Sequence, residues 1–346
     1  MRRGIWLATA ALIAIVTAGP ATAADVKIGV IYPLSGNAAN AGRSALDAVQ
    51  LAAEIVNTPH PELSALPSVG PGGLPNLGGA KLQVVAADHQ GNPAEGQSQT
   101  LRLITQEKVA AMVGAYQSNV SFTATAVAER YGIPFIVGDS VALNIMSRGF
   151  KWVFRTTPIA TDFAANYMLF LADMKKAGHP VSSVAIVNEN TDYGTSVAGT
   201  VAEQAQKQGF NIVARIPYNA NATDVTAQVL QLKDKKPDAV IFISYTADAI
   251  LYMKTLKNLD YLPTMIIADD AGFSDPTFVP SAGNLAQGLI NRSAWDVGKP
   301  GSVTARIADM FKAKTGRDMD DTSARSMQAT LSLWSIHMSL AKAQQL

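Results

Sequence analysis

Short runs of apolar, β-branched residues alternate with longer segments of 3.6-residue period along almost the whole chain, and this alternation constrains the fold most strongly. A strand followed by an amphipathic helix, repeated, buries both faces of a parallel sheet under crossover helices. The spacing predicts strands over 26–32, 81–87, 109–113, 133–137, 183–188, 211–217, 238–243, 264–268 and 286–291. Helices are expected over 41–57, 94–107, 119–130, 160–177, 193–208, 223–235, 246–259, 302–315 and 323–343. Gly, Pro, Asn and Asp bound most of the strands, as turns require. The expected fold class is therefore α/β, with parallel strands covered by crossover helices.

Arg2 and Arg3 precede an apolar run from Ile5 to Thr17, and Ala21-Thr22-Ala23 offers small residues for cleavage before Ala24. Residues 1–23 read as a cleaved secretory leader, because the run is shorter than the roughly 20 residues that span a bilayer and Gly19-Pro20 breaks it. Removing these 23 residues from 346 leaves 323, more than one compact core usually holds, so two domains are expected. The net charge of +1 invites neither nucleic acid nor an anionic membrane. The chain has no cysteine, which excludes disulfides, thiolate metal sites and cysteine nucleophiles, and leaves stability to burial and packing.

Two stretches depart from the rhythm. His60 to Gly79 is rich in Pro and Gly and reads as a surface insertion between the first helix and the second strand. It is open whether it is decoration or part of a cleft rim. After the amphipathic segment Ser323 to Gln345 the chain stops without a capping glycine or closing strand, the pattern of a truncated terminus.

Catalytic constellations are lacking. There is no phosphate-binding Gly-Lys-Ser/Thr loop, no Gly-x-Gly-x-x-Gly after a strand and no Gly-x-Ser-x-Gly elbow. His60, His89, His179 and His337 are scattered without metal-ligand spacing, so no cofactor or metal is expected. What recurs is a polar cluster just after a strand, where open α/β sheets place their ligands. Gly114-Ala115-Tyr116-Gln117-Ser118-Asn119 follows one strand and Gly138-Asp139-Ser140-Val141 the next. Ser118 and Ser140 each have two readings: an ordinary helix cap, or a hydroxyl holding a carboxylate at a positive helix terminus.

Several segments, in order, carry a family resemblance: Ile28-Gly29-Val30 through Pro33-Leu34-Ser35-Gly36, Gly42, Asp88 with Asn92-Pro93, and Val113-Gly114 through Ser118. They continue with Tyr131-Gly132-Ile133-Pro134-Phe135-Ile136, Phe154-Arg155-Thr156-Thr157, Val187 through Asp192-Tyr193-Gly194, and Pro237-Asp238-Ala239-Val240. From about Asp25 to its end the chain resembles the leucine/isoleucine/valine-type periplasmic binding proteins, the type I solute receptors of ABC importers. The resemblance implies two Rossmann-like lobes with parallel sheets joined by a hinge, residues 24–156 with 292–346 forming the first and 157–291 the second. Crossings are implied near Arg155-Thr156-Thr157 and Leu289-Ile290-Asn291, with a third beyond Leu346.

Carried over by position, Ser118 and the turn Asp139-Ser140-Val141 fall where family members bind a ligand carboxylate. Tyr193 and Tyr245 fall on the second-lobe wall, and Asp270 where an acid receives the ligand ammonium. Departures accompany these matches. Asp139 beside a ligand carboxylate repels it unless a cation pairs with Asp139, and Ala41 stands where some amino-acid receptors place an aromatic ring. Arg43 and Arg325 have three readings: a solvated surface arginine, a salt bridge to Asp139, or a clamp on a ligand carboxylate. The resemblance implies a non-enzymatic, monomeric periplasmic receptor for an amino acid or related small organic acid, partnered by an inner-membrane ABC permease. A sensor feeding a signalling partner and an exported hydrolase on a related scaffold are the alternatives.

Overall fold

The computed structural model describes residues 24–269 and 271–343; the leader expected at 1–23 and Asp270 lie outside the described residues. Two five-stranded sheets organise the molecule, and every strand pairing within them is parallel. The first contains β1 (Val26–Tyr32), β2 (Leu82–Asp88), β3 (Ala111–Gly114), β4 (Phe135–Val137) and β5 (Val153–Arg155), in the order β2-β1-β3-β4-β5. The second contains β6 (Ser183–Glu189), β7 (Asn211–Tyr218), β8 (Ala239–Ile243), β9 (Ile266–Ala268) and β10 (Ile290–Asn291), in the order β10-β9-β8-β6-β7.

Burial explains the composition of the central strands. β3 and β8 are buried at every residue, because helices cover both faces of a parallel sheet and no strand face remains for water. Around the first sheet lie α1 (Ala39–Asn57), α2 (Pro93–Thr105) and α3 (Ser118–Tyr131). Around the second lie α4 (Ala160–Lys176), α5 (Asp192–Lys207), α6 (Thr226–Lys235), α7 (Thr246–Asn258) and the short α8 (Ala271–Ser274) and α9 (Phe278–Ala282). The last helices, α10 (Val303–Thr315) and α11 (Asp321–Ala343), return to the first sheet's layer and pack on α1. Local signals set the boundaries: Asn92 caps α2 by accepting from the amides of Ala94 and Glu95, with Pro93 as the first helical residue.

The chain changes sheets between β5 and α4, which packs on α5, and again between β10 and α10. Strand β5 was not expected as a strand, since three residues are too few for a periodic signal to register. The strand expected over 286–291 shrinks to Ile290–Asn291, because residues Gly283–Ala286 form a 3-10 turn and Gly288 takes a left-handed φ of 78°.

The insertion at 60–79 folds onto the first unit. Leu63 and Leu74 are fully buried, the Gly73 amide donates to the Val56 carbonyl at 2.7 Å, and its turns contact α10 and α11. It lines neither of the cavities between the sheets described below, so the cleft-rim alternative fails.

Candidate functional site

Each sheet order reverses direction once, between β1 and β3 in the first and between β6 and β8 in the second. Loops leaving the carboxyl ends of neighbouring strands diverge at such a point and leave a crevice. The two crevices face one another, and two cavities lie between them.

The inner cavity, about 20 Å³, is lined by Tyr116, Ser118, Asp139, Ser140, Val141 and Arg325 from one side and Tyr193, Tyr245, Ala271 and Arg292 from the other. The structure thus brings together Ser118, Asp139, Ser140, Val141, Tyr193 and Tyr245, residues spread over more than a hundred positions of sequence. A volume of this size holds about one water. The outer cavity, about 290 Å³, is bounded by the loop after β1, Gln90-Gly91, Gln117 and Asn119 on one side and by Thr191, Ala220, Asn221 and Tyr245 on the other. Sequence reasoning missed it. The recurrence of Asn and Gln in the turns after β1, β2, β3 and β7 was the available signal.

Tyr245 lies between the two cavities and joins the two sides. Its ring lies 5.8 Å from that of Tyr116 and 5.2 Å from that of Tyr193, centroid to centroid. Its phenol bonds the Thr191 side chain and the Ser118 backbone, and burial, followed by the Glu189 carboxylate, raises its pKa. Further bonds cross the gap from the Asn37 amide to Asn221 Oδ1 at 2.9 Å and from the Leu143 amide to Ser196 Oγ at 3.1 Å.

The serines have different roles. Ser118 is the first residue of α3, whose N-cap is Gln117 without a side-chain cap bond, so neither Ser118 nor Asn119 caps the helix as one reading expected. Ser140 is buried in a closed network: it donates to the Tyr116 carbonyl at 2.9 Å and meets Ser121 Oγ at 2.6 Å, while Ser121 accepts from the Ala115 amide. Its one proton is committed to the fold.

Asp139, 4% exposed, lies in a charged cluster. Arg325 Nε stands 3.8 Å from its carboxylate and 2.7 Å from that of Asp321, and Arg325 also donates to the Asp139 carbonyl and to Thr157 Oγ1. Ser326 donates to Asp139 Oδ2 at 2.9 Å and receives a bond from the Tyr32 phenol. Arg325 is thus a buried ion-pair partner of Asp139, not a solvated arginine. Arg43 is exposed, bonds Leu34 O and Asn40, and belongs to neither cavity. Ala41 is buried in the core and also lines neither.

Across the cavity, Asp269 is fully buried. Tyr193 donates to Asp269 Oδ2 at 2.6 Å, Tyr167 donates to Oδ1, and Arg292 Nε lies 3.2 Å from Oδ1 with its guanidinium stacked on the Phe163 ring. Burial, then the Asp269 charge, holds the phenols of Tyr167 and Tyr193 well above the usual tyrosine range. Asp269 and Arg292 were not anticipated as a pair, because 23 positions, two short helices and β10 separate them. Tyr193 is aimed by its helix start: the Glu189 carboxylate accepts from the Gly194 amide at 2.5 Å and from the Thr191 amide at 2.6 Å. A Cβ at Gly194 would come within 2.0 Å of the Glu189 carbonyl, so only glycine permits this approach.

His89 supports the other wall. Its Nε2 donates to the Ala115 carbonyl at 2.9 Å and its Nδ1 accepts from the Gly91 amide at 3.0 Å, which fixes the neutral tautomer. Burial pushes its pKa down to about 4. Among the described residues no cluster of His, Cys, Asp and Glu could hold a metal ion. The arrangement offers the amino terminus of α3 and three tyrosines, beside two guanidiniums that are already paired with Asp269, Asp139 and Asp321.

Comparisons with known proteins agree with this geometry. A family model described as "Periplasmic binding protein" matches residues 25–346. The Leu/Ile/Val-binding protein homolog 8 of Brucella suis is 30% identical over 312 residues, covering 87% of this chain and 72% of that one. The branched-chain amino acid transporter substrate binding protein LivJ from Streptococcus pneumoniae, solved with isoleucine, superposes with a TM-score of 0.74 at 25% identity, covering 88% and 82% of the two chains. A solute binding protein of an ABC transporter from Rhodopseudomonas palustris, solved with 3,4-dihydroxybenzoic acid, gives a TM-score of 0.73 at 19% identity and coverage of 90% and 79%.

Proposed function

The chain belongs to the periplasmic binding protein family, and from that premise we propose that it captures an amino acid or related small organic acid between two closing lobes and delivers it to an inner-membrane ABC permease. Its relatives are substrate-binding components of the branched-chain amino-acid type, and the family works in the periplasm or outside the cell. In this reading the lobes comprise 24–156 with 292–346, and 157–291, with the chain crossing after β5 and β10.

One observation carries the proposal: Ser118, Val141 and Arg325 from one side and Tyr193, Tyr245 and Arg292 from the other line a single cavity. A molecule touching both walls binds the closed form better than the open one, and its differential affinity shifts the population toward closure. Arg325 only partly offsets the charge of Asp139, because Asp321 shares the same guanidinium, so a carboxylate there leans on the α3 terminus and the phenols as well. The isoleucine of the pneumococcal protein and the dihydroxybenzoate of the Rhodopseudomonas one share a carboxylate, which fits the guanidiniums and the α3 terminus.

The test is a thermal-shift and calorimetric screen of the mature protein with amino acids and aromatic and aliphatic carboxylic acids. Binding without turnover is expected, with a stabilisation that grows with ligand concentration as mass action requires. Ser118→Ala and Tyr193→Ala should weaken the binding of whichever probe binds while the fold persists. A full panel without any shift, or product formation from a bound probe, would sink the proposal.

A further inference from the structure

The outer cavity differs in chemistry from the inner one, and it has far more room: about 290 Å³ against about 20 Å³. Its size is at the lower end of the range for small-molecule sites, which start near 300 Å³. Among the described residues that line it, none is Asp, Glu, Lys, Arg or His. Five carry side-chain amides: Asn37, Gln90, Gln117, Asn119 and Asn221.

Three carboxylates lie behind the lining, and none of them lines the chamber: Asp248 accepts from the Asn221 amide and is buried, and the other two are engaged as well. Asp88 accepts from Ser35 Oγ and from the amides of Leu34 and Gln90. Glu189 is fully buried and accepts from Thr191 and Gly194. A charged group entering this chamber would lose its hydration without meeting a counter-charge, which is costly.

An aliphatic group fits no better, for the opposite reason: it would lie against side-chain amides and give them no partner. Gln117 shows this most clearly. Its Oε1 is buried with no hydrogen-bond partner among the described residues, and its amide packs so closely on Gly91 that a Cβ there would lie 3.0 Å from Nε2. Gln117 immediately precedes Ser118, which lines the inner cavity, and Tyr245 lines both chambers. A molecule whose head reaches Ser118 therefore extends its tail past Gln117.

We infer that the outer chamber is a specificity subsite for an uncharged, hydrogen-bonding tail, such as a carboxamide, ureido or hydroxyl group, and that it selects against the aliphatic side chains of leucine, isoleucine and valine. This rests on the proposed capture of a carboxylate between the lobes and states which carboxylate that is. Polar complementarity is suited to such a choice, because a site built to bond an N–H or O–H strongly rejects an analogue that lacks it.

The test is calorimetry of the full mature protein with probes matched in head group and differing in tail. These are L-glutamine and L-citrulline against L-leucine, L-isoleucine, L-glutamate and L-lysine; glutaramate against 4-methylpentanoate and glutarate; and 3,4-dihydroxybenzoate against benzoate. The neutral polar tail is expected to win within at least one head-group series by roughly tenfold or more. Gln117→Leu, with an unchanged melting temperature, should erase that preference. If in every series that binds the leucine, 4-methylpentanoate or benzoate affinity equals or exceeds that of the polar counterpart, the inference is overturned while capture stays intact. So would a charged tail that binds best, or a preference that survives Gln117→Leu. If no probe of any series binds, the capture reading itself falls and the subsite with it.

Discussion

On the second-sheet side of the inner cavity, one buried carboxylate, Asp269, meets one guanidinium, Arg292, together with two phenols. On the first-sheet side two buried carboxylates, Asp139 and Asp321, share the single guanidinium of Arg325. The first arrangement is compact. The second is spread out: Arg325 also bonds Thr157, just past the first crossing, while Asp321 accepts from Ser293 and Ala294, just past the second. A buried charge must be compensated where it lies. The two clusters satisfy that requirement differently, one within a single wall of the site and one by tying the site to the segments on which the lobes would turn.

That contrast is most sharply broken by removing each cation. Arg325→Met strands two buried acids and should cost about 5 kcal/mol of folding stability in urea unfolding. Arg292→Met should cost less, about 4 kcal/mol, because the phenols of Tyr167 and Tyr193 still donate to Asp269. Equal losses in the two variants would erase the distinction.

The wall opposite Asp269 carries its own pH signature through His89. Its folded pKa of about 4 lies below the ordinary 6.5. The unfolded chain therefore binds the proton first, and stability present above about pH 6.5 is lost as the pH falls toward about 4, by up to about 3 kcal/mol. Unfolding midpoints measured across that window should slope less in His89→Asn than in the parent.

Smaller effects separate side chains that serve the fold from those that serve the site. Tyr193→Phe keeps the ring but removes a bond to a charged acceptor, for about 2 kcal/mol in unfolding experiments. Ser140→Ala leaves the Tyr116 carbonyl without its donor and should cost about 1 kcal/mol, with little change in the affinity of any probe, whereas Ser118→Ala should do the reverse. A Ser140 variant that loses affinity at unchanged stability would restore the serine to the site.

The strand-and-helix alternation was legible because it is written in contiguous residues: Ala239–Ile243 is apolar at every position and reads as a central strand on its own. Turns after strands were legible for the same reason, and they pointed to Ser118 and Ser140, while Tyr193 and Tyr245 came from the family resemblance. Partnership was not. Whether Arg325 is solvated or bonded to Asp139, 186 positions away, depends on how α11 lies against the turn after β4. Whether the Ser140 hydroxyl faces a ligand depends on the neighbouring Ser121, which the sequence shows only as one more serine in a helix.

By itself the sequence determined an α/β chain of parallel strands with polar strand ends, because periodicity and turn chemistry act over a few residues, while the two lobes came from the family resemblance. Only the tertiary structure decided which acids are already neutralised, which serine is already spent and where an amide-lined chamber opens. Those outcomes depend on distances between residues far apart in the chain, and burial fixes them only when both walls are in place.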